Sequence, residues 1–208
     1  MKVKVCGMKE PENMQALAKL PVDMMGLVFY EKSPRYVDEQ DAGRINSLSL
    51  MIPKVGVFVD ASPDVILNKA ERFQLQLVQL HGQESPDFCR TLKSKKIRII
   101  KAFQMTTIED LKICSLYEGC CDYFLFDAKT SKYGGSGNKF NWDILSAYTG
   151  TTPFFLSGGI APEDAESIDR LDLPQLFAVD LNSRFETTPG IKDMDSIRMF
   201  LSCMRKEL

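Results

Sequence analysis

The sequence contains a single histidine and no Cys-x-x-Cys pair, and these two shortages exclude several kinds of chemistry. Protein sites for zinc and related metals draw their ligands largely from histidine and from closely spaced cysteines. His81 alone cannot build a histidine-rich metal site or serve a mechanism that needs two histidines. We therefore expect no bound metal.

A strong charge of one sign and long apolar runs are also missing. The formal net charge is only −2, which argues against broad attraction to nucleic acid or to anionic lipid. No segment approaches the roughly 18 apolar residues of a membrane span, and the N-terminus lacks the apolar stretch of a secretory signal. Without an export signal, we expect the six cysteines to be reduced and the protein to be cytoplasmic.

Short apolar, β-branched or aromatic runs are present along the whole chain, at intervals of roughly 20–30 residues, about the length of one strand–helix unit. Nearly continuous apolarity is typical of parallel strands that are covered on both faces. The predicted strands are residues 3–6, 24–29, 55–59, 75–80, 97–103, 122–126, 153–157 and 176–181.

The segments between these runs carry signals of helix starts. Ser62 and Ser85 each precede a proline and an acidic residue, and residues 106–109 fit a capping box. Eight strand–helix alternations without a linker predict one (β/α)8 barrel domain over residues 1–208, an α/β fold with a single core. An open, doubly wound sheet is the competing fold. Either fold would place the site beyond the C-terminal ends of the strands.

A glycine-containing segment follows the seventh predicted strand and precedes a helix start. Gly158 and Gly159 would let backbone amides approach an anion, and in a barrel this loop commonly forms half of a phosphate site. The other half would come from Asn182, Ser183 and Arg184, after the eighth strand. The alternative is a glycine-rich turn without a ligand.

Two ionisable residues stand at strand ends and are candidates for proton transfer. Asp127 follows an aromatic strand, and an apolar setting would favour the protonated form that a general acid needs. Alternatively, Asp127 caps a turn or pairs with Lys129. Cys6 ends the first strand among lysines that would favour a thiolate base, but taken alone its position is more typical of a small buried residue.

Three further segments are candidates for contacts with a ligand. Arg35, in the loop after the second strand, is suited to bind a carboxylate through two hydrogen bonds, or else is a solvated surface charge. His81 ends the fourth strand and is either a substrate contact or a hydrogen-bonded residue of the rim. Residues 133–139 are glycine-rich but lack the spacing of a nucleotide-binding loop, and we interpret them as a flap over the site.

Taken in order, the motifs form a recognisable set. The runs KVKVCGM, GLVF with SPR, VGVFV, QLHG, LFDAK with GGSG, FLSGGI, and VDLNSRFE with PGIKD cover residues 2–193, and together they resemble the phosphoribosylanthranilate isomerase family. The resemblance implies a cofactor-free step of tryptophan biosynthesis on a small phosphorylated substrate. We expect no nucleic acid or membrane partner and a monomer or homodimer.

The resemblance also implies roles for individual residues. Cys6 corresponds to the general base and Asp127 to the general acid, while Arg35 would meet the anthranilate carboxylate. The phosphate would be held by the loops that contain Gly158, Gly159, Asn182 and Ser183. From their positions at strand ends, we also expect His81 and Asp180 to bind the substrate. Many members of the family read DVSSGVE in the last motif, where this chain has Arg184 in place of the glycine. A backbone that required positive φ would be strained there.

Other functions remain open on the residues alone. A related synthase of indole-glycerol phosphate would need a lysine acid and a carboxylate, and a sugar-phosphate epimerase would need metal-binding histidines. A barrel that binds a phosphorylated ligand without turnover would have lost the acid or the base. This chain has both Cys6 and Asp127.

Overall fold

Eight parallel strands close on themselves in sequence order, and the first strand pairs with both the second and the eighth. The computed structural model describes residues 1–128 and 140–205. The closure excludes the open sheet and confirms the (β/α)8 barrel. The strands are β1 (Lys2–Val5), β2 (Met24–Val28), β3 (Lys54–Phe58), β4 (Leu77–Leu80), β5 (Ile99–Met105), β6 (Tyr123–Ala128), β7 (Phe154–Leu156) and β8 (Leu176–Leu181).

Helices lie between the strands on the outside of the barrel. The α-helices are α1 (Pro11–Leu17), α2 (Ala42–Ser47), α3 (Pro63–Arg72), α4 (Pro86–Ser94), α5 (Ala165–Asp169) and α6 (Met194–Arg205). Ser62 and Ser85 cap α3 and α4 as predicted, because each hydroxyl accepts a hydrogen bond from a backbone N–H of the first turn. Within residues 1–128 and 140–205, no helix is long and apolar enough to cross a membrane.

Several of the described connections contain 3₁₀-helix. One segment, Glu39–Asp41, precedes α2, and the others lie in the second half of the barrel: Ile108–Leu116, Trp142–Ala147, Pro162–Asp164 and Ser183–Phe185. The helix start predicted at residues 106–109 leads into a 3₁₀-helix. The capping box also lies one residue later than predicted. Asp110, rather than Glu109, turns back to accept hydrogen bonds from the backbone N–H groups of Thr106 and Thr107. The shorter aspartate side chain reaches these amides across the tight first turn.

The strands carry apolar side chains on both faces, one toward the helices and one toward the inside of the barrel. The larger layer lies between strands and helices and includes Phe58, Phe124 and Phe200. A smaller cluster on the alternate side chains fills the inside of the barrel; it contains Met24, Val55, Leu77, Ile100, Ala102, Leu125, Phe155 and Ala178. Residues two positions further along these strands follow on the same face, toward the C-terminal rim.

A small antiparallel hairpin, which the sequence did not predict, follows β8. Its strands are β9 (Glu186–Thr188) and β10 (Ile191–Lys192). Gly190 adopts φ +92° between them, a conformation that costs glycine little. The hairpin brings Glu186 and Lys192 back to the C-terminal end of β1, where they meet the loop after β2.

Candidate active site

Cys6 stands at the end of β1, facing the inside of the barrel. Its side chain is 4% exposed and packs against Val28 and Val57. A Cβ on Gly26, in the neighbouring strand, would lie 2.7 Å from the Cys6 sulfur, so only glycine leaves room for the thiol. The structure therefore places Cys6 in a pocket shaped for its side chain.

The surroundings of Cys6 act on its pKa in opposite directions. Burial raises the pKa most, and the carboxylate of Asp180 raises it further, whereas the ammonium groups of Lys4 and Lys192 lower it. The net pKa of Cys6 is above its ordinary value. Cys6 is therefore a neutral thiol at neutral pH, and the two lysines are the groups that favour its thiolate.

A polar layer lies directly below this rim, inside the barrel. Lys4 is completely buried, and its Nζ donates to Oδ1 of Asp180 and to Oε1 of Gln79, at 2.9 Å in each case. Asp180 was predicted to bind substrate, and the structure shows it buried in this ion pair at the end of β8. We refer to Lys4, Gln79 and Asp180 as the polar layer.

The polar layer continues to Asp127 through His81. Nε2 of Gln79 lies 2.8 Å from Nδ1 of His81, and Nε2 of His81 lies 3.3 Å from Oδ2 of Asp127. The side chains of His81 and Asp127 are 17% and 21% exposed, so both reach the solvent at the rim. His81 also lines a cleft of about 420 Å³ with Gln104 and Asp110. Lys129, the alternative partner of Asp127, lies outside the described residues.

Arg35 does not project into solvent but forms a buried ion pair. Its Nε and Nη2 donate to the two carboxylate oxygens of Glu186, at 2.8 and 2.6 Å. Nζ of Lys192 donates to Oε1 of Glu186 at 2.5 Å and to Oδ1 of Asn182 at 2.8 Å. The guanidinium is thus held in place by the hairpin, beside Gly7 and Cys6.

The pKa values in this cluster reflect both burial and pairing. Burial alone would raise the pKa of Glu186, but the hydrogen bonds from Arg35 and the charge of Lys192 lower it below its ordinary value. Burial lowers the pKa of Lys192 to about 8, although Glu186 opposes this change. The cluster therefore keeps Glu186 ionised, and it leaves Lys192 charged at neutral pH but less basic than an ordinary lysine.

The predicted phosphate loops lie at the same rim, after β7 and β8. Gly158 and Gly159 have φ of +89° and +66°, and a Cβ on Gly158 would lie 2.9 Å from Oδ1 of Asp127. Asn182 and Ser183 begin the 3₁₀ turn after β8. Arg184 lies in that turn and is not among the described non-glycine residues with positive φ, so the expected backbone strain is absent.

Three residues of the site were not predicted from the sequence, namely Gln79, Glu186 and Lys192. They lie inside the motifs QLHG, VDLNSRFE and PGIKD respectively. Lys4 was among the lysines expected to favour a Cys6 thiolate, but its burial and its partners were not predicted. The signal for all four was a charged or amide side chain on an otherwise apolar strand or next to one, which indicates a buried polar contact. The flap predicted at residues 133–139 lies outside the described residues.

A closed (β/α)8 barrel with a thiol, a carboxyl and an arginine gathered at its C-terminal rim defines a TIM-barrel enzyme. The family model described as N-(5'-phosphoribosyl)anthranilate (PRA) isomerase matches residues 3–202. The chain belongs to this family and is an isomerase.

Similar proteins match over nearly the whole chain. The N-(5'-phosphoribosyl)anthranilate isomerase of Parabacteroides distasonis is 47% identical over 205 residues, which cover 97% of this chain and 92% of that protein. The crystal structure of phosphoribosyl anthranilate isomerase from Thermotoga maritima has a TM-score of 0.87 and 37% identity, covering 100% of both chains. A crystal structure of a phosphoribosyl anthranilate isomerase in complex with reduced 1-(o-carboxyphenylamino)-1-deoxyribulose 5-phosphate has a TM-score of 0.83 and 34% identity, again covering 100% of both chains.

Proposed function

We propose that this protein converts N-(5'-phosphoribosyl)anthranilate to 1-(2-carboxyphenylamino)-1-deoxyribulose 5-phosphate, an Amadori rearrangement in tryptophan biosynthesis. One observation carries the proposal. The thiol of Cys6 directly follows β1 and the carboxyl of Asp127 lies on β6, yet both stand at one barrel opening. Cys6 interacts with Lys4, and the polar layer leads from Lys4 through His81 to Asp127. Family membership over residues 3–202 supports the same substrate.

In the proposed mechanism, Asp127 is the general acid and Cys6 the general base. Asp127 gives its proton to the furanose ring oxygen, the C1′–O bond breaks, and the anthranilate nitrogen forms a Schiff base with C1′. The Cys6 thiolate then removes the proton from C2′, which gives an enolamine. Tautomerisation of the enolamine yields the aminoketose. Each proton transfer by a positioned side chain is typically worth about 10²–10⁴-fold in rate.

The thiolate needed for this step has local support. Lys4 and Lys192 both lower the pKa of Cys6, and Lys4 remains charged because its pKa is itself raised. In Lys4, burial is the largest effect and lowers the pKa, but the charges and hydrogen bonds of Asp180 and Cys6 together outweigh it. A permanent buried cation below the thiol therefore offsets part of the cost of forming a buried thiolate.

The two ends of the substrate would be anchored on either side of these groups. We assign the anthranilate carboxylate to Arg35, which would bind through Nη1 because Nε and Nη2 already contact Glu186. The phosphate would lie at Gly158, Gly159 and the 3₁₀ turn of Asn182 and Ser183, where left-handed glycines let backbone amides approach an anion. Such anchoring supplies catalysis through positioning.

The test is complementation of a tryptophan auxotroph together with assays of purified protein without added metal or cofactor. Wild type should restore growth and turn over the substrate, whereas Cys6→Ser and Asp127→Asn should each lose most of the activity. Normal turnover by both variants would contradict the mechanism. Arg35→Ala should chiefly raise KM, and an unchanged KM would remove its assigned role.

We also propose a cytoplasmic protein that is a monomer or a homodimer. All six cysteines are free in the structure, and the neighbouring folds include dimeric and monomeric forms of the Thermotoga maritima isomerase. Sedimentation of the purified protein, with and without reductant, tests the assembly and the absence of disulfide-linked species.

A further inference from the structure

Gln79 has no role in the mechanism above, yet it lies between a buried cation and the only histidine. Its Oε1 accepts a hydrogen bond from Nζ of Lys4, and its Nε2 lies 2.8 Å from Nδ1 of His81. The opposite ring nitrogen, Nε2, lies 3.3 Å from Oδ2 of Asp127. Four side chains from β1, β4 and β6 thus form one line that ends at the catalytic carboxyl.

The direction of the hydrogen bonds in this line is determined at Lys4. An ammonium group can only donate, so the Gln79 atom that faces Lys4 must be the carbonyl oxygen. The opposite orientation would press the amide NH₂ against the ammonium. Lys4 is fully buried and is also held by Asp180, so it cannot turn toward water instead. The NH₂ group of Gln79 therefore faces His81.

This orientation selects one form of the imidazole. Because Gln79 donates to Nδ1, that nitrogen carries no proton, and the neutral ring carries its proton on Nε2. We propose that Gln79 is a positioning residue that holds His81 as the Nε2–H tautomer, so that the ring donates to Asp127 and cannot accept its proton. The inference deepens the proposed function and rests on Asp127 being the general acid.

The consequence for catalysis follows from relative basicity. An imidazole with a bare Nε2 is a stronger base than a carboxylate, so it would take the proton that Asp127 must give to the ring oxygen. The Nε2–H tautomer removes that competitor. It also donates a hydrogen bond to the carboxylate that remains after Asp127 has given up its proton, which stabilises the charge formed during ring opening.

Other charged groups near His81 do not reverse this assignment. Burial raises the pKa of Asp180 and Lys4 lowers it, whereas Asp127 raises it and His81 lowers it more weakly. Asp180 therefore acts on this line through its charge, chiefly on Lys4. On the neighbouring strand, Lys101 pairs with Glu84 and donates to the carbonyl of Gly82. Among the described side chains, Gln79 and Asp127 are therefore the groups that define the two ring nitrogens.

The tautomer can be read directly, because the chain has one histidine. Protein labelled with ¹⁵N-histidine and prepared without a histidine tag gives a single imidazole pattern in a long-range ¹H–¹⁵N correlation spectrum. At about pH 9, above the ordinary range of imidazole ionisation, we expect an unprotonated Nδ1 and a protonated Nε2. A protonated Nδ1 with a bare Nε2 in the wild-type protein would overturn the proposal without any variant.

Gln79→Glu tests the cause, since the new carboxylate still accepts from Lys4 but can no longer donate to His81. We expect Nδ1 to become protonated and kcat to fall by about tenfold or more, as when a catalytic histidine is held in the wrong tautomer. The matched control is Gln76→Glu, at the opposite end of β4, where the side chain bonds the backbone of Lys54 and Gln74. The control should keep both the wild-type tautomer and kcat.

The outcomes separate this proposal from the proposed function. Asp127→Asn should abolish turnover and leave the Nε2–H tautomer in place, because Gln79 remains. If Asp127→Asn keeps its turnover, the proposed mechanism fails while the tautomer measurement stands on its own. If Gln79→Glu leaves Nδ1 unprotonated, or protonates it without lowering kcat, the role of Gln79 is wrong.

Discussion

Gly7, next to the proposed base Cys6, shows how a single missing side chain shapes the site. Its φ is +78°, a left-handed conformation that side chains disfavour. A Cβ at this position would also lie 2.5 Å from Cδ of Arg35 and 2.9 Å from Oδ1 of Asn182. Both the backbone conformation and the packing therefore require glycine at position 7. Because Gly7 has no side chain, Arg35 and Asn182, which are proposed to bind the substrate, can pack directly against the loop after β1.

Gly7→Ala should destabilise the protein and raise KM, because Arg35 must move to admit the new methyl group. The matched control is Gly119→Ala, which has a similar φ of +75° but no neighbouring atom within 4 Å of the new Cβ. In the control, the free energy of unfolding should fall by only about 1 kcal/mol, because the new side chain strains the backbone but contacts nothing. Equal losses in both variants, with KM unchanged in Gly7→Ala, would contradict the assigned contact.

Cys6 should titrate in the alkaline range in the free protein, because burial raises its pKa more than Lys4 and Lys192 lower it. The ultraviolet difference between wild type and Cys6→Ser should reveal thiolate only above the ordinary range of a cysteine, about pH 8.5. Cys203 is exposed, and Cys203→Ser provides the comparison for an accessible thiol. A Cys6 signal that appears at neutral pH would show that the lysines dominate.

Among the secondary-structure elements, the short hairpin of β9 and β10 connects two distant loops of the barrel rim. Through Glu186 it holds Arg35, and through Lys192 it reaches Asn182. The partners Arg35 and Glu186 are 151 residues apart in sequence. The loop after β2 and the segment after β8 are therefore coupled at one buried ion pair.

Glu186→Gln should lower the free energy of unfolding at neutral pH by about 3 kcal/mol, the usual cost of breaking a buried pair. Because the pKa of Glu186 is lowered in the folded protein, its contribution is complete above the ordinary carboxyl range and is lost as pH falls through the lowered value. The difference between wild type and variant should therefore shrink in acid. Urea titrations over a pH series measure it.

Glu166→Gln is the control for this experiment, since Glu166 forms an exposed pair with Arg170 one helical turn away. Exposed pairs contribute about 0–1 kcal/mol, so the control should be nearly neutral at every pH. A Glu186→Gln effect as small as that of the control would mean that the hairpin is not held by this ion pair.

The strands were predictable element by element, whereas the helix type was not. All eight apolar runs overlap the observed strands within a few residues. Strands that are buried on both faces consist of nearly continuous apolar residues, and such runs can be recognised in the sequence. Ile108–Leu116 begins with a capping box, a start signal that does not by itself distinguish a 3₁₀-helix from an α-helix.

For the whole molecule, closure of β1 onto β8 makes the barrel one continuous core. We expect chemical unfolding in a single transition, because opening any strand pair exposes the shared inner layer. Trp142 is the only tryptophan and lies between β6 and β7, so its fluorescence reports on the second half of the barrel. Its transition should coincide with that of far-ultraviolet circular dichroism, and two separated midpoints would contradict a single domain.

The strand positions and the two serine caps could be predicted because they depend on residues that are neighbours in the chain, and the family because the order of the motifs can be read along it. Which side chains meet depends on how the barrel closes. Lys4 and Asp180 are 176 residues apart, and they form one ion pair because the barrel closes β1 against β8. The same closure gives Arg35 its partner and sets Gln79 between Lys4 and His81. A local pattern can indicate that a polar residue is buried, but the partner that satisfies it comes from a distant strand.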